Sequence, residues 1–380
     1  MSKIHSFFMS QKVYLPEKLF DGEKFRKDTA ILTDQERVIA LLPISEIPEN
    51  TEVISYSEST IAPAFKDIQI YGGNGQMFSL FPSVETLKAT YAYSKAGGVT
   101  SFMATIPTSS PKIMQAAIQA VNKYWESGLP GLLGLQLEGP YLNPIKKGAH
   151  LEKLIQKPSL DDVKKLITQG QGVIKMMTIA PECCSDAVIR YLAQQDILLS
   201  AGHSNATYEE AKRGFDQGIT TCTHLFNAMS GLHHRAPGLV GAAFDSSVFS
   251  SIIPDGFHVD EAALRIASQL MGDRLFVITD AITEAKTDTY HYIQEGDRIV
   301  LADGTLAGSC LSMEKAVRKM IAFGLAPEEA LKKVATIPSK VLGKQSTWGK
   351  IAPGYIVDWV LLNQEYQVQK TLSVLTSDYK

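Results

Sequence analysis

Short apolar runs alternate along this chain with longer stretches in which apolar residues recur at three- and four-residue intervals. The short runs are rich in β-branched and aromatic residues. They are FKDIQIYG (65–72), VTSFMATIPT (99–108), GLLGLQLEGP (131–140), VIKMMTIAPE (173–182), DILLSAGHS (196–204), GITTCTHLFN (218–227), FSSIIPDGFH (249–258) and DRLFVITDA (273–281). Helical periodicity fills most of the gaps, as in PKIMQAAIQAVNKYWESG, SDAVIRYLAQQ, TYEEAKRGFDQG and VDEAALRIASQLMG. Ser159, Ser185 and Thr207 stand where helix N-caps belong. Strands alternating with helices imply a parallel sheet. Eight of them fit a closed (β/α)8 barrel, a TIM barrel, better than an open doubly wound sheet. The ends of the chain differ. Residues 1–61 and the tail 346–380 alternate like short strands, and we expect them to pair into a small β-sandwich beside a barrel of residues 62–345.

Polar residues punctuate the ends of these runs. In LQLEGPYLNP an apolar strand stops on Glu138, just before a Gly-Pro turn. His203, His224, His258 and Asp280 end the fifth to eighth runs in the same manner. Taken singly, each has an ordinary explanation: a capping acid, or a histidine that hydrogen-bonds within a loop. Barrel enzymes, however, gather their chemistry at the C-terminal ends of the strands, so these five would share one mouth. Two imidazoles with a carboxylate make a tetrahedral metal site with one position open for water. Asp280 is then a candidate general base. GHSNA nearly matches a G-x-S-x-G elbow around Ser204, but Ala206 replaces the second glycine and the fold conflicts. YGGNGQM lacks the context of a dinucleotide fingerprint.

Composition narrows the class. A net charge of -3, with 20% charged residues of both signs, offers no footprint for nucleic acid or an anionic membrane. No apolar run approaches the ~20 residues of a membrane helix, and the N-terminal apolar stretch is too short for a signal peptide. Cys183, Cys184, Cys222 and Cys310 lack zinc-finger or disulfide-framework spacing and suit packing. These features point to a reduced, cytoplasmic, globular protein.

The longer motifs LEGPYLNPIKKGAH, SAGHSNATYEEA, THLFNAMSGLHHRAPGLVG, DGFHVD, VITDA and GTLAGS occur in this order, and GKIAPGYIVDWVLL closes the series. Together they resemble the N-acetylglucosamine-6-phosphate deacetylases of the amidohydrolase superfamily. The resemblance implies a TIM barrel with a split β-sandwich and hydrolysis of the acetamide of N-acetylglucosamine 6-phosphate. It also implies metal ligands at Glu138, His203 and His224, and the catalytic acid at Asp280. His150 matches a residue that reaches the carbonyl oxygen. Asn227, Ala228, Arg235 and His258 match sugar-phosphate contacts, and Ala149, Asp255, Gly256, Leu306, Ala307 and Gly308 match further substrate contacts. His233 and His234 fall where the family varies and receive no role.

One departure bears on the metal. Many amidohydrolases carry H-x-H at the end of the first strand, which helps to hold a second ion. Here DIQIYG puts Gln69 and Tyr71 in that place, so we expect one divalent ion per chain, zinc. The family also implies a homodimer, with Arg235 and His258 serving the neighbouring subunit's site. Two other classes share these features. A different amidohydrolase, such as an N-acyl-amino-acid deacylase or adenine deaminase, would share the metal residues without needing Arg235. A non-catalytic sugar-phosphate sensor would need neither the ligands nor Asp280.

Overall fold

A computed structural model describes residues 11–286 and 291–375. They fall into two compact units. One holds the described chain up to Lys66 with Lys95–Thr100 and Met313–Leu375; the other holds Asp67–Ser94 and Ser101–Ser312.

The barrel belongs to the larger unit except for the first two residues of its first and second strands. Its eight strands stand side by side in chain order: Phe65–Ile70, Val99–Pro107, Leu132–Glu138, Ile174–Ile179, Leu198–Ala201, Thr221–Cys222, Phe249–Ile252 and Leu275–Val277. Each lies within one of the eight apolar runs. The first and third strands are buried at every position, as expected of parallel strands covered on both faces. Two hydrogen bonds close the circle: Asp280 N–H donates to Gln69 O, and Tyr71 N–H to Ala281 O, each at 3.0 Å. Helices return the chain between strands, and their starts are chemically marked. Ser159, Ser185 and Thr207 each accept a backbone N–H as N-caps, and Thr207 forms a reciprocal capping box with Glu210.

The barrel interior carries a polar layer beneath its mouth. Thr105 Oγ1 donates to Gln136 Oε1 (2.8 Å), and Gln136 Nε2 donates to Gln69 Oε1 (3.0 Å) and to Thr178 Oγ1 (3.4 Å). All four residues are fully buried, so each bond satisfies a group that water cannot reach. After the eighth strand the chain does not enter a helix directly. It builds a four-stranded antiparallel meander from Ala285–Lys286, His291–Glu295, Arg298–Leu301 and Leu306–Ser309.

In the other unit the two ends of the chain do pair. Strands from 11–63 and 358–373 join in one seven-stranded sheet, in which Glu52–Pro63 runs parallel to Gln11–Phe20 and antiparallel to Asp358–Leu362. The segments expected to form a sandwich are thus hydrogen-bonded into a single sheet. Its apolar face gathers Leu19, Ile31, Val38, Ile61 and Trp359. Lys66 is buried with Asp358 as its ion partner, and its Nζ also reaches Thr100 Oγ1 at 3.0 Å. This compact unit also takes in the helical residues 313–341, although the sequence pattern places them in the barrel span 62–345.

Candidate active site

A cavity of about 290 Å³ opens among the C-terminal ends of the barrel strands. Glu138 is the last residue of the third strand, and His203, His224 and Asp280 lie just past the fifth, sixth and eighth. Gly139 follows Glu138 at φ +93°, and a Cβ there would stand 2.2 Å from Thr108 Oγ1, so only glycine lets the chain turn away. The backbone at the mouth is strained. His203, His224, Phe226, Ala228 and Asp280 all hold left-handed φ values although none is glycine. Such conformations persist where surrounding structure enforces them, and they concentrate at functional sites.

The donor atoms converge. His203 Nε2 and His224 Nε2 stand 3.3 and 3.0 Å from Glu138 Oε1 and 3.1 Å from each other. His150 Nε2 is 3.0 Å from the other carboxylate oxygen, Oε2. Hydrogen bonds sort these imidazoles. His203 Nδ1 faces the Lys146 carbonyl at 2.9 Å and so carries the proton, which leaves a lone pair on Nε2. His150 Nδ1 instead accepts from Thr108 N–H (3.1 Å), so its proton sits on Nε2 and is donated to Glu138. His203 and Glu138 therefore aim lone pairs at one point, an arrangement that suits a cation, whereas His150 is a donor. His224 presents Nε2 to the same point, and its buried Nδ1 has no partner among the described residues. Glu138, His203 and His224 fit a metal ion on this chemistry.

Gln69 and Tyr71, which stand in place of the H-x-H pair, are occupied with the carboxylates. Gln69 Nε2 donates to Asp280 Oδ1 (2.8 Å) and Glu138 Oε1 (3.1 Å). Its own carbonyl is fixed by Thr223 Oγ1 (2.6 Å) and Gln136 Nε2 (3.0 Å). Tyr71 OH donates to Glu138 Oε2. Both side chains were read from sequence as absent ligands; their positive role was missed. The signal was a glutamine near the end of a strand that is buried at every position. Burial raises the Glu138 carboxyl, but the imidazoles outweigh it and hold the group well below the usual carboxylate range. Asp280 moves the other way, pushed up by burial and then by the Glu138 charge. Two neighbouring carboxylates are thus driven apart, one held ionised and one ready to take up a proton.

The remaining sequence candidates divide. Ala149, His150, Asn227, Ala228, His258, Leu306, Ala307 and Gly308 all line the cavity. Asp255 lies behind it: its Oδ2 stands 2.6 Å from His258 Nδ1, and its Oδ1 accepts the Phe257 and His258 N–H groups. Burial opposes a charged His258, yet the Asp255 carboxylate raises its affinity for a proton. Gly256 is exposed and Arg235 is exposed, and neither lines the cavity.

A (β/α)8 barrel with a histidine–carboxylate mouth and a poised aspartate defines a class of metal-dependent hydrolases. The chain belongs to the amidohydrolase family, whose model matches residues 81–379. It is 32% identical over 361 residues to the N-acetylglucosamine-6-phosphate deacetylase of Haemophilus influenzae, covering 91% of this chain and 93% of that protein. It is also 31% identical to an N-acetylgalactosamine-6-phosphate deacetylase of Escherichia coli, over 87% of this chain and 88% of the other. The crystal structure of the Pasteurella multocida N-acetylglucosamine-6-phosphate deacetylase superposes with a TM-score of 0.90 at 30% identity, covering 96% of this chain and 98% of that one.

Proposed function

We propose that this chain removes the acetyl group from N-acetyl-D-glucosamine 6-phosphate, yielding D-glucosamine 6-phosphate and acetate in amino-sugar catabolism. The observation that carries the reading is the pairing of Glu138, His203 and His224 around one point with Asp280 beside them. These ligands suit one divalent ion, zinc, which when bound polarises the acetyl carbonyl and acidifies a water molecule. Asp280, with its raised proton affinity, takes the proton of the attacking water and passes it to the leaving nitrogen, which is too basic to depart unprotonated. His150 carries its proton on Nε2 and so suits donation to the carbonyl oxygen as negative charge develops there. Asn227, the Ala228 amide and His258 suit the sugar phosphate, and His258 is held by Asp255 in a form that favours positive charge. Arg235, exposed and outside the cavity lining, suits the phosphate bound by a second copy in a homodimer. Four free cysteines fit a reducing cytoplasm; among the described residues no helix is long and apolar enough to cross a membrane.

Relatives of similar identity act on sugars that differ in the configuration of one hydroxyl, so the test compares both. Acetate release would be measured from the 6-phosphates of N-acetylglucosamine and N-acetylgalactosamine and from unphosphorylated N-acetylglucosamine. We expect the glucosamine phosphate to be turned over best and the plain sugar several orders of magnitude worse in kcat/KM. Faster turnover of the galactosamine epimer would overturn the substrate assignment, and no release from any of them would overturn the activity.

A further inference from the structure

The cavity has two chemically different sides. On one, loops that follow the third, sixth and seventh strands bring the polar groups of Lys146, Asn227 and His258, with Ala228, Ile145 and Ile253 among them. On the other stand Met77, Ile282, Tyr292 and Ala307, from the segments that follow the first and eighth strands, which adjoin where the barrel closes. These four form one apolar cluster with Tyr71, whose hydroxyl donates to Glu138. The apolar side therefore begins where the proposed metal ligands end. Met77 is 2% exposed and Ile282 8%, with Leu80, Ala149 and Leu301 packed against the cluster. Met77 Sδ already accepts from the Thr283 N–H at 3.3 Å, and the side chains of Ile282 and Ala307 offer no hydrogen-bonding group at all.

The scissile amide also has two sides. Its nitrogen bears a sugar whose hydroxyls and phosphate each need a polar partner, and burying them against an apolar wall would cost those hydrogen bonds. Its carbonyl bears only the alkyl group of the acyl chain. We infer that Met77, Ile282 and Tyr292 form the acyl subsite and set the length of acyl chain that the enzyme removes. This rests on the deacetylase reading above. Methionine suits such a wall, because its unbranched, polarizable side chain adapts to neighbours of different shape.

The test is a series of N-acetyl, N-propionyl and N-butyryl glucosamine 6-phosphates, assayed for kcat/KM with the wild type and with Met77→Ala. Glucosamine 6-phosphate, which has no acyl group, serves as an inhibitor control. Each methylene buried in the enlarged pocket is worth about fourfold. Met77→Ala should therefore raise the butyryl-to-acetyl ratio by about 15-fold and leave the inhibition constant of the product within about twofold. Ile282→Val, a smaller excision, should raise the propionyl-to-acetyl ratio by about fourfold if Met77→Ala does not fold. An unchanged ratio in a folded variant overturns the inference. So does a product inhibition constant that weakens in step with the acyl substrates, which would put the sugar against this wall. If the wild type releases no carboxylic acid from any member of the series, the deacetylase reading itself has failed, a result distinct from an acyl profile that merely does not respond.

Discussion

Replacing Gln69 with leucine removes the amide but keeps the bulk of a side chain that is fully buried. Two consequences can be worked from four of its side-chain hydrogen bonds. The donors at 2.8 and 3.1 Å from Asp280 Oδ1 and Glu138 Oε1 disappear, and hydrogen bonds to charged groups are each worth about 1.5–3 kcal/mol. Losing the one that orients Asp280 should lower kcat by roughly 10- to 150-fold, since each 1.4 kcal/mol is about tenfold. Losing the one on Glu138 should weaken metal binding by about 10–100-fold, as for other groups that orient ligands from behind. On the acceptor side, Thr223 Oγ1 and Gln136 Nε2 are left facing leucine. Each unsatisfied buried donor costs about 1–3 kcal/mol, so the fold should lose about 2–5 kcal/mol in a urea titration. Gln69→Glu separates the effects, because it keeps an oxygen for Thr223 and Gln136 while setting a third carboxylate against Glu138 and Asp280. It should retain more stability than leucine does at acidic pH and no more activity at neutral pH. If Gln69→Leu keeps kcat within about threefold of wild type at saturating metal, the amide is structural and its role in orienting Asp280 is refuted.

Four further outcomes follow from the same geometry. Elemental analysis of active protein should find about one divalent ion per chain, and chelation should abolish turnover until zinc is restored; two tightly held ions would refute the role given to Gln69 and Tyr71. Asp280→Asn should lose about 10²-fold or more in kcat while retaining metal and product binding, whereas His203→Ala should lose the metal itself. Burial pushes Asp67 from 3.8 up to about 7, so the native state keeps a proton that the unfolded chain releases. The associated stability, about 4 kcal/mol, is full below about pH 4, falls as pH rises and is gone by about pH 7. Denaturation at about pH 5 and about pH 8 should show about 3 kcal/mol of that loss in wild type and not in Asp67→Asn; equal pH dependence would refute it. Arg235→Ala should lose roughly 30- to 1000-fold against the phosphosugar and little against plain N-acetylglucosamine, and equal losses would make the arginine structural.

Much of the barrel was legible because its strands are largely buried and announce themselves as short runs rich in apolar and β-branched residues. The mouth was legible for the complementary reason: Glu138, His203, His224 and Asp280 interrupt those runs at the same end, and no packing requirement explains four such interruptions. The Gln69 network was not legible. It joins Gln69 to Gln136 and Thr223, partners 67 and 154 positions away in the chain, and only the register of a closed barrel decides which inward side chains meet. The meander at 285–309 was missed because the βα alternation leads one to expect a helix after the eighth strand. Turn-rich stretches such as EGDR and ADGT mark hairpins there instead. The exposure of Arg235 could not be read either, since a motif shows a residue's chemistry and not the surface it ends on.

The same atoms close the barrel and hold the proposed proton carrier. Asp280 adopts φ +54°, a conformation that costs an L-residue energy unless its neighbours impose it. Its N–H is tied to Gln69 O and its carbonyl receives Ser309 N–H at 2.9 Å, while Ser309 Oγ donates to Thr279 O at 2.5 Å. Below it, Asp67 accepts from both the Thr279 hydroxyl (2.5 Å) and the Thr279 N–H (3.2 Å). Gly308 covers the other flank, where a Cβ would come within 2.5 Å of the Asp280 carbonyl. The strained residue is thus clamped from the first strand, from its own strand and from the meander that follows. A carboxylate on an unconstrained loop would relax its backbone and lose its aim between the proposed metal ligands and the proposed leaving nitrogen. Here relaxation would have to break a closing hydrogen bond of the barrel, so the stability of the fold is what keeps Asp280 in place.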